Sequence, residues 1–213
     1  MTELRFTCVG TRVETYAVAP TMIFRLRVEE LDGVDVHAVA LLCQLRIEPQ
    51  RRRYSAAEAE RLHDLFGDRS RWADTLKPLH FTTVSTLVPA FSGSVEIDVQ
   101  VPCTSDLEVV AGRYFHALDE GDAPMLLLFS GSVFTREGPG YQVVPIPWNA
   151  ESEWRLPIDL WQQMTDRYFP NSGWIALHRD TLDELIRYKS EHALPTWNDV
   201  IESLLARDGA VAP

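Results

Sequence analysis

Apolar and polar positions alternate through the first two thirds of the chain. Leu4, Phe6 and Cys8 point one way in a short stretch from Leu4 to Val9. In Met22–Glu29, Phe24 and Leu26 alternate with Arg25 and Arg27, which predicts a half-buried strand. Leu31-Asp-Gly33 is a hairpin signal, and a long strand is expected from Val34 to Ile47. Its apolar set shifts from Val34 and Val36 to Val39, Leu41, Cys43 and Leu45, so a bulge near Ala38 or burial on both faces is expected. A Thr- and Val-rich strand runs from Leu79 to Val88. Val95, Ile97, Val99 and Val101 then alternate with Glu96, Asp98 and Gln100, the pattern of an antiparallel sheet with one wet face. Met125–Phe134 is an apolar strand with Gly131 as a bulge candidate, and Tyr141–Ile146 can form one more.

Helical periodicity takes over at other points. Ser55 and Glu58 form a capping box ahead of Leu62, Leu65 and Phe66, with Gly67 as the stop. A second box, Ser105 and Glu108, opens a helix whose stripe is Leu107, Val110, Ala111, Tyr114, Phe115 and Leu118, ended by Gly121 and Pro124. Beyond Gly138 three helical pieces are expected. Pro157 starts one with Ile158, Trp161, Met164 and Tyr168. Asp180 caps a second with Leu182, Leu185 and Ile186, and Thr196 caps a third with Trp197, Val200, Ile201, Leu204 and Leu205. Strands outnumber crossover helices, so the fold class is α+β: an antiparallel sheet of four to six strands covered by the Ser105–Leu118 helix. The expected division is a body over 1–147, a helical appendage over 148–207 packed on it, and a flexible tail over 208–213.

The 213 residues carry a net charge of −11, which disfavours nucleic acid as a partner. Arg51-Arg52-Arg53 reads either as a phosphate site or as a solvated strand exit. Asp119, Glu120 and Asp122 read as a solvated turn or as an acidic patch for a basic partner. Three cysteines without a C-x-x-C pair favour neither a disulfide framework nor a zinc knuckle. No signal-like start and no apolar run of spanning length occur, so a cytoplasmic protein without a membrane span is expected. No histidine pair has the spacing of metal ligands, and glycine-rich nucleotide loops and serine elbows are missing, so neither a metal nor a cofactor is expected.

Cys103 is the one candidate reactive thiol. It stands just before a helix start, where amides and the helix dipole lower a thiolate pKa, and His116 is its candidate base. The alternative is a small residue filling a strand–helix junction. Five tryptophans, Trp148, Trp154, Trp161, Trp174 and Trp197, fall in the last third. They either pack on the body or form a contact surface. Phe-Ser-Gly-Ser-Val occurs at Phe91 and again at Phe129, without similarity extending further.

Two resemblances follow from these residues. Cys103, Ala111, Arg113, Gly121, Pro124, Leu126, Leu128 and Phe134 follow the outline of a segment in SecB-like export chaperones. This chain lacks the proline after the cysteine and adds a C-terminal extension. The stretch Cys103–Phe134, with Ile146-Pro-Trp148, Tyr168-Phe-Pro-Asn-Ser172 and Leu194-Pro-Thr-Trp197, resembles an uncharacterised actinobacterial family encoded near high-affinity nickel–iron hydrogenases. These resemblances imply a non-enzymatic chaperone-like or accessory factor that binds a polypeptide, either a hydrogenase subunit or an unfolded client. Tyr114, Phe115, Trp161 and Trp174 are the expected contact residues. A thiol-dependent enzyme using Cys103 and a structural homo-oligomer subunit are the alternatives.

Overall fold

The computed structural model describes residues 3–103, 107, 111–137, 140–168, 170, 175 and 177–209. The chain is α+β with antiparallel sheets, as its alternation predicts. Among the described residues eight strands form two sheets. The first is three-stranded, with order β1 (Leu4–Val13), β2 (Thr21–Glu30), β5 (Ser94–Pro102). The second has the order β4 (Leu79–Val88), β3 (Val36–Ile47), β6 (Asp122–Glu137), β7 (Gly140–Pro145). In it β8 (Glu151–Pro157) pairs with the first half of β6. The two sheets share one core, to which every strand from β1 to β6, together with β8, contributes. Phe6 on β1 stacks on Phe129 of β6 across it, with ring centroids 4.6 Å apart. At the seams β1 lies beside β8 and β5 beside β4, and the Cys8 amide donates to Ser152 Oγ at 3.0 Å.

The expected single sheet is therefore two, and the reason lies at residues 30–36. The Leu31-Asp-Gly33 signal marks a crossover: β2 pairs with β1 and β5, while β3 pairs with β4 and β6. Glu30, itself buried, fixes the crossover by accepting from the Asp32 and Val34 amides at 2.9 and 2.8 Å. The predicted bulge near Ala38 is present as a register shift between Val36 and Ala38 against β6. Gly131 has another task. Its φ is +133°, and a Cβ there would stand 2.0 Å from the Ala40 carbonyl oxygen, so only glycine lets β6 approach β3 at this point. Its carbonyl accepts from Ile146 where the outer partner of β6 changes from β8 to β7.

Helices fill the gaps around the core. α1 (Ala56–Arg61) has the predicted capping box, with Ser55 Oγ accepting from the Glu58 amide and Glu58 accepting from the Ser55 amide. α2 (His63–Phe66) ends at Gly67, φ +69°, and α3 (Trp72–Thr75) follows. α4 (Arg113–His116) lies in the expected helix over 105–118. Its predicted capping residues Ser105 and Glu108 lie outside the described residues. α5 (Ile158–Tyr168) buries Ile158, Trp161 and Met164, and Tyr168 donates to the Ala17 carbonyl at 2.8 Å.

The domain boundary moves from residue 147 to 172/173. β8 is a full member of the second sheet, and α5 belongs to the body's core, so neither is part of an appendage. The second unit, from Gly173 onward, contains α6 (Arg179–Glu191) and α7 (Trp197–Gly209). α6 starts after His178, with Asp180 in its first turn instead of at its cap. Thr196 caps α7 as predicted, accepting from the Asp199 amide at 3.1 Å, and Tyr188 meets Ser203 across the pair at 2.9 Å. Of the expected tail, α7 takes up the start, and 210–213 lie outside the described residues.

Candidate functional site

The two sheets differ in what they show to solvent. On the first, register places Arg25 opposite Asp98 and Arg27 opposite Glu96. Arg25 donates to Asp98 at 3.0 Å, Arg12 reaches the same carboxylate at 2.7 Å, and Arg27 meets Glu96 at 2.7 Å. The hydrogen bond from Arg25, joined by that from Arg12, holds Asp98 below the usual carboxylate range. This face is a lattice of hydrated ion pairs.

The second sheet turns a different set outward. Its inward positions on β3 are Val39, Leu41, Cys43, Leu45 and Ile47, all buried. The outward positions form rows across the strands. One row is Leu87, Ala40, Ser132 and Pro145. The next is Ala38, Phe134 and Val143, and another is Ser85, Leu42 and Ser130. Leu87 is 67% exposed and Val143 55%, and Leu42 and Tyr141 are exposed as well. No charged residue stands in these three rows. Charge enters at the ends, with Arg46 and Glu153 at one and His37 and Arg136 at the other. The face thus combines exposed apolar side chains with three serines and carries its charge only at its ends.

At the Arg136 end the His37 ring lies against Tyr141, centroids 4.6 Å apart. A cleft of about 650 Å³ opens beside it, lined by Asp35, Val36, His37, Ala90, Phe91, Ser92 and Arg136. Asp35 accepts from the Ser92 hydroxyl, and Arg136 makes no ion pair among the described residues. The two Phe-Ser-Gly-Ser copies are unrelated in structure: the first turns the chain into β5 and the second runs inside β6.

The expected contact residues lie elsewhere. Tyr114, Phe115 and Trp161 are core, each 1% exposed or less. Phe115 stacks on Trp161 at 4.5 Å with Phe81 against both, and the Tyr114 hydroxyl meets Tyr54 OH at 2.9 Å. Their apolar spacing reports helix-to-sheet packing, which removes them from any contact surface of the folded chain. Trp174 lies outside the described residues.

Cys103 is 4% exposed, with its sulfur 3.5 Å from the Val101 carbonyl and its amide bonded to Pro20. This is the junction-filling position, closed to reagents in the folded state. Cys8 and Cys43 are buried too, and burial pushes their thiols up to about 11 and about 12.

Two of the three clustered arginines are taken up by ion pairs, and Arg53 is exposed. Arg51 meets Glu153. Arg52 donates to Glu58 Oε1 at 3.0 and 2.9 Å and to the Glu120 carbonyl. Asp119 pairs with Arg61 and gives its amide to Glu58 at 3.1 Å. Burial raises the Glu58 carboxyl. The bonds from Ser55, Asp119 and Arg52 outweigh burial and hold it below the usual range. No group of three or more metal-ligating side chains occurs among the described residues. Among them, too, no helix is long and apolar enough to cross a membrane.

A family model described as "Family of unknown function (DUF6084)" matches residues 1–213. The chain belongs to this family. Comparison of the DUF6084 chain with curated proteins gave no match. Among solved structures it is similar to β-glucosidase 3B from Thermotoga neapolitana, solved with α-D-glucose, at 11% identity and a TM-score of 0.25. That match covers 72% of this chain and 17% of the other. The β-glucosidase from Kluyveromyces marxianus matches at 12% identity and a TM-score of 0.25, over 72% and 15% of the two chains. This DUF6084 member thus spans less than a fifth of either enzyme.

Proposed function

We propose that this DUF6084 member is a non-enzymatic, cytoplasmic accessory factor that holds a polypeptide on the outer face of its second sheet. The observation that carries the reading is the contrast between the two sheets: one face is tiled with arginine–carboxylate pairs, the other with Leu42, Leu87, Phe134 and Val143. Capture is hydrophobic, and the acidic remainder of the surface keeps the empty protein soluble. The client suggested by resemblance is a nickel–iron hydrogenase subunit, and the wider class is an unfolded chain.

The test is titration calorimetry with a reduced, alkylated unfolded polypeptide and, separately, with a hydrogenase subunit. Leu87→Glu and Val143→Glu are expected to weaken binding at least about tenfold, some 1.4 kcal/mol, while Arg27→Glu on the other sheet leaves it unchanged. Equal binding by all three variants would refute the reading.

A further inference from the structure

We infer that the occupant of this face is an amphipathic helix of the partner, about three to four turns long, with a carboxylate near its C-terminal end seated at Arg136 and His37. The inference rests on the polypeptide-binding reading and names what binds there. Four observations carry it.

The first is relief. The row Leu87–Ala40–Ser132–Pro145 crosses four strands. In this row the middle positions are small and the ends are large, so Leu87 and Pro145 flank Ala40 and Ser132, while Phe134 and Leu42 rise in the neighbouring rows as apolar knobs for the occupant to pack around. Strands stand about 4.8 Å apart, so Leu87 and Pro145 are roughly 14 Å apart. A helix with its side chains is about 10–12 Å across and fits between them.

The second is length. From Arg136 to Ser130 is six residues of strand, about 20 Å. At 1.5 Å per residue a helix of about thirteen residues spans that distance.

The third is backbone chemistry. β3 is paired along one edge with β4 and along the other with β6, and β6 in turn with β7 and β8. The face therefore offers side chains and no free backbone groups. An extended segment laid there would leave its own amides and carbonyls unpaired against an apolar surface, whereas a helix satisfies them internally. A strand would instead add at the outer edge of β7.

The fourth is charge. Arg136 and His37 stand at one end of the face. Asp35 in the same cleft is engaged by Ser92, and at the far end Glu153 is engaged by Arg51 and Arg46 by Glu48 at 3.9 Å, so among the described residues Arg136 is the end cation without an ion pair. A helix pointing its C-terminus toward Arg136 places its negative dipole end and an acidic side chain where the cation is.

The probe is a synthetic peptide of about thirteen residues with leucines at i, i+3, i+4 and i+7 and a C-terminal Glu-Glu. Its twins end in Lys-Lys or carry a central proline. Binding is read by fluorescence anisotropy at up to about 1 mM peptide. The acid-ended peptide is expected to bind at least tenfold more tightly than either twin. Arg136→Ala should erase the preference over the lysine twin, and Leu87→Glu should weaken all binding. Both positions are on the surface, and unchanged melting curves will show that the variants fold. Equal binding of the proline twin would overturn the helix, and equal binding of the lysine twin would overturn the carboxylate seat. No peptide binding, with the unfolded polypeptide still held by the face, would overturn this inference alone; loss of both would take the proposed function with it. Sedimentation showing a dimer that Leu87→Glu dissolves would assign the face to a second copy and overturn the inference.

Discussion

Gly131 sits at φ +133° with the Ala40 carbonyl where its side chain would be. Gly131→Ala must strain the backbone and push β3 from β6, so it is expected to cost about 3 kcal/mol or more in denaturant unfolding. A loss below about 1 kcal/mol would mean the two strands part easily. Glu58 is the other decisive residue, because one buried carboxylate serves the Ser55 cap, the Asp119 amide and Arg52. Its folded pKa lies below its ordinary value. The stability it confers is therefore complete above the ordinary carboxylate range and is lost as pH falls through the depressed value. Glu58→Ala should cost about 3 kcal/mol at neutral pH, because the half-buried Arg52 loses its carboxylate and keeps only the Glu120 carbonyl. In acid, melting temperatures of the two proteins should converge; a gap that persists there would contradict this account.

The elements show what local sequence can and cannot say. The Ser55–Glu58 cap, the Thr196 cap, β4 and the Ala38 bulge were legible because each depends on neighbours a few residues apart. Ser55→Ala should accordingly lower stability by about 1 kcal/mol, read from the denaturation midpoint at constant slope. A neutral effect would show that tertiary packing alone holds α1. β8 was missed although Ser152, Trp154 and Leu156 alternate with Glu151, Glu153 and Arg155. One inward position is a serine, which binds the Cys8 amide, so the apolar signal is down to two residues. The crossover at Leu31–Gly33 was misread because a turn signal says only that the chain reverses, and which strand it then pairs with is settled by distant residues.

For the whole molecule, the large apolar residues that stand out in the sequence and those that stand open on the second sheet are different sets. Tyr114, Phe115 and Trp161 are large and periodic, which is what a core requires, while the open face is built from Leu42, Leu87 and Val143 on three separate strands. Only pairing register brings those together, and register is not local information. The same packing closes all three thiols. Native protein at neutral pH should react with iodoacetamide only as fast as it opens, and denaturant should accelerate all three cysteines together. Rapid native alkylation at Cys103 would revive a thiol-dependent reaction. On the alkaline side, Cys8 and Cys43 titrate at about 11 and about 12 when folded, against 9.0 ordinarily. The unfolded chain therefore releases protons first, and stability should decline from about pH 9 upward.

The most direct test of a polypeptide held on the second sheet is site-specific photo-crosslinking. Benzoylphenylalanine would be placed at Leu87 or Val143, and at Arg27 or Glu96 on the ion-paired sheet, with the unfolded polypeptide as target. Cross-links from positions 87 and 143 and none from 27 and 96 are predicted. Equal yields from both sheets, or cross-links confined to the charged one, would contradict the account.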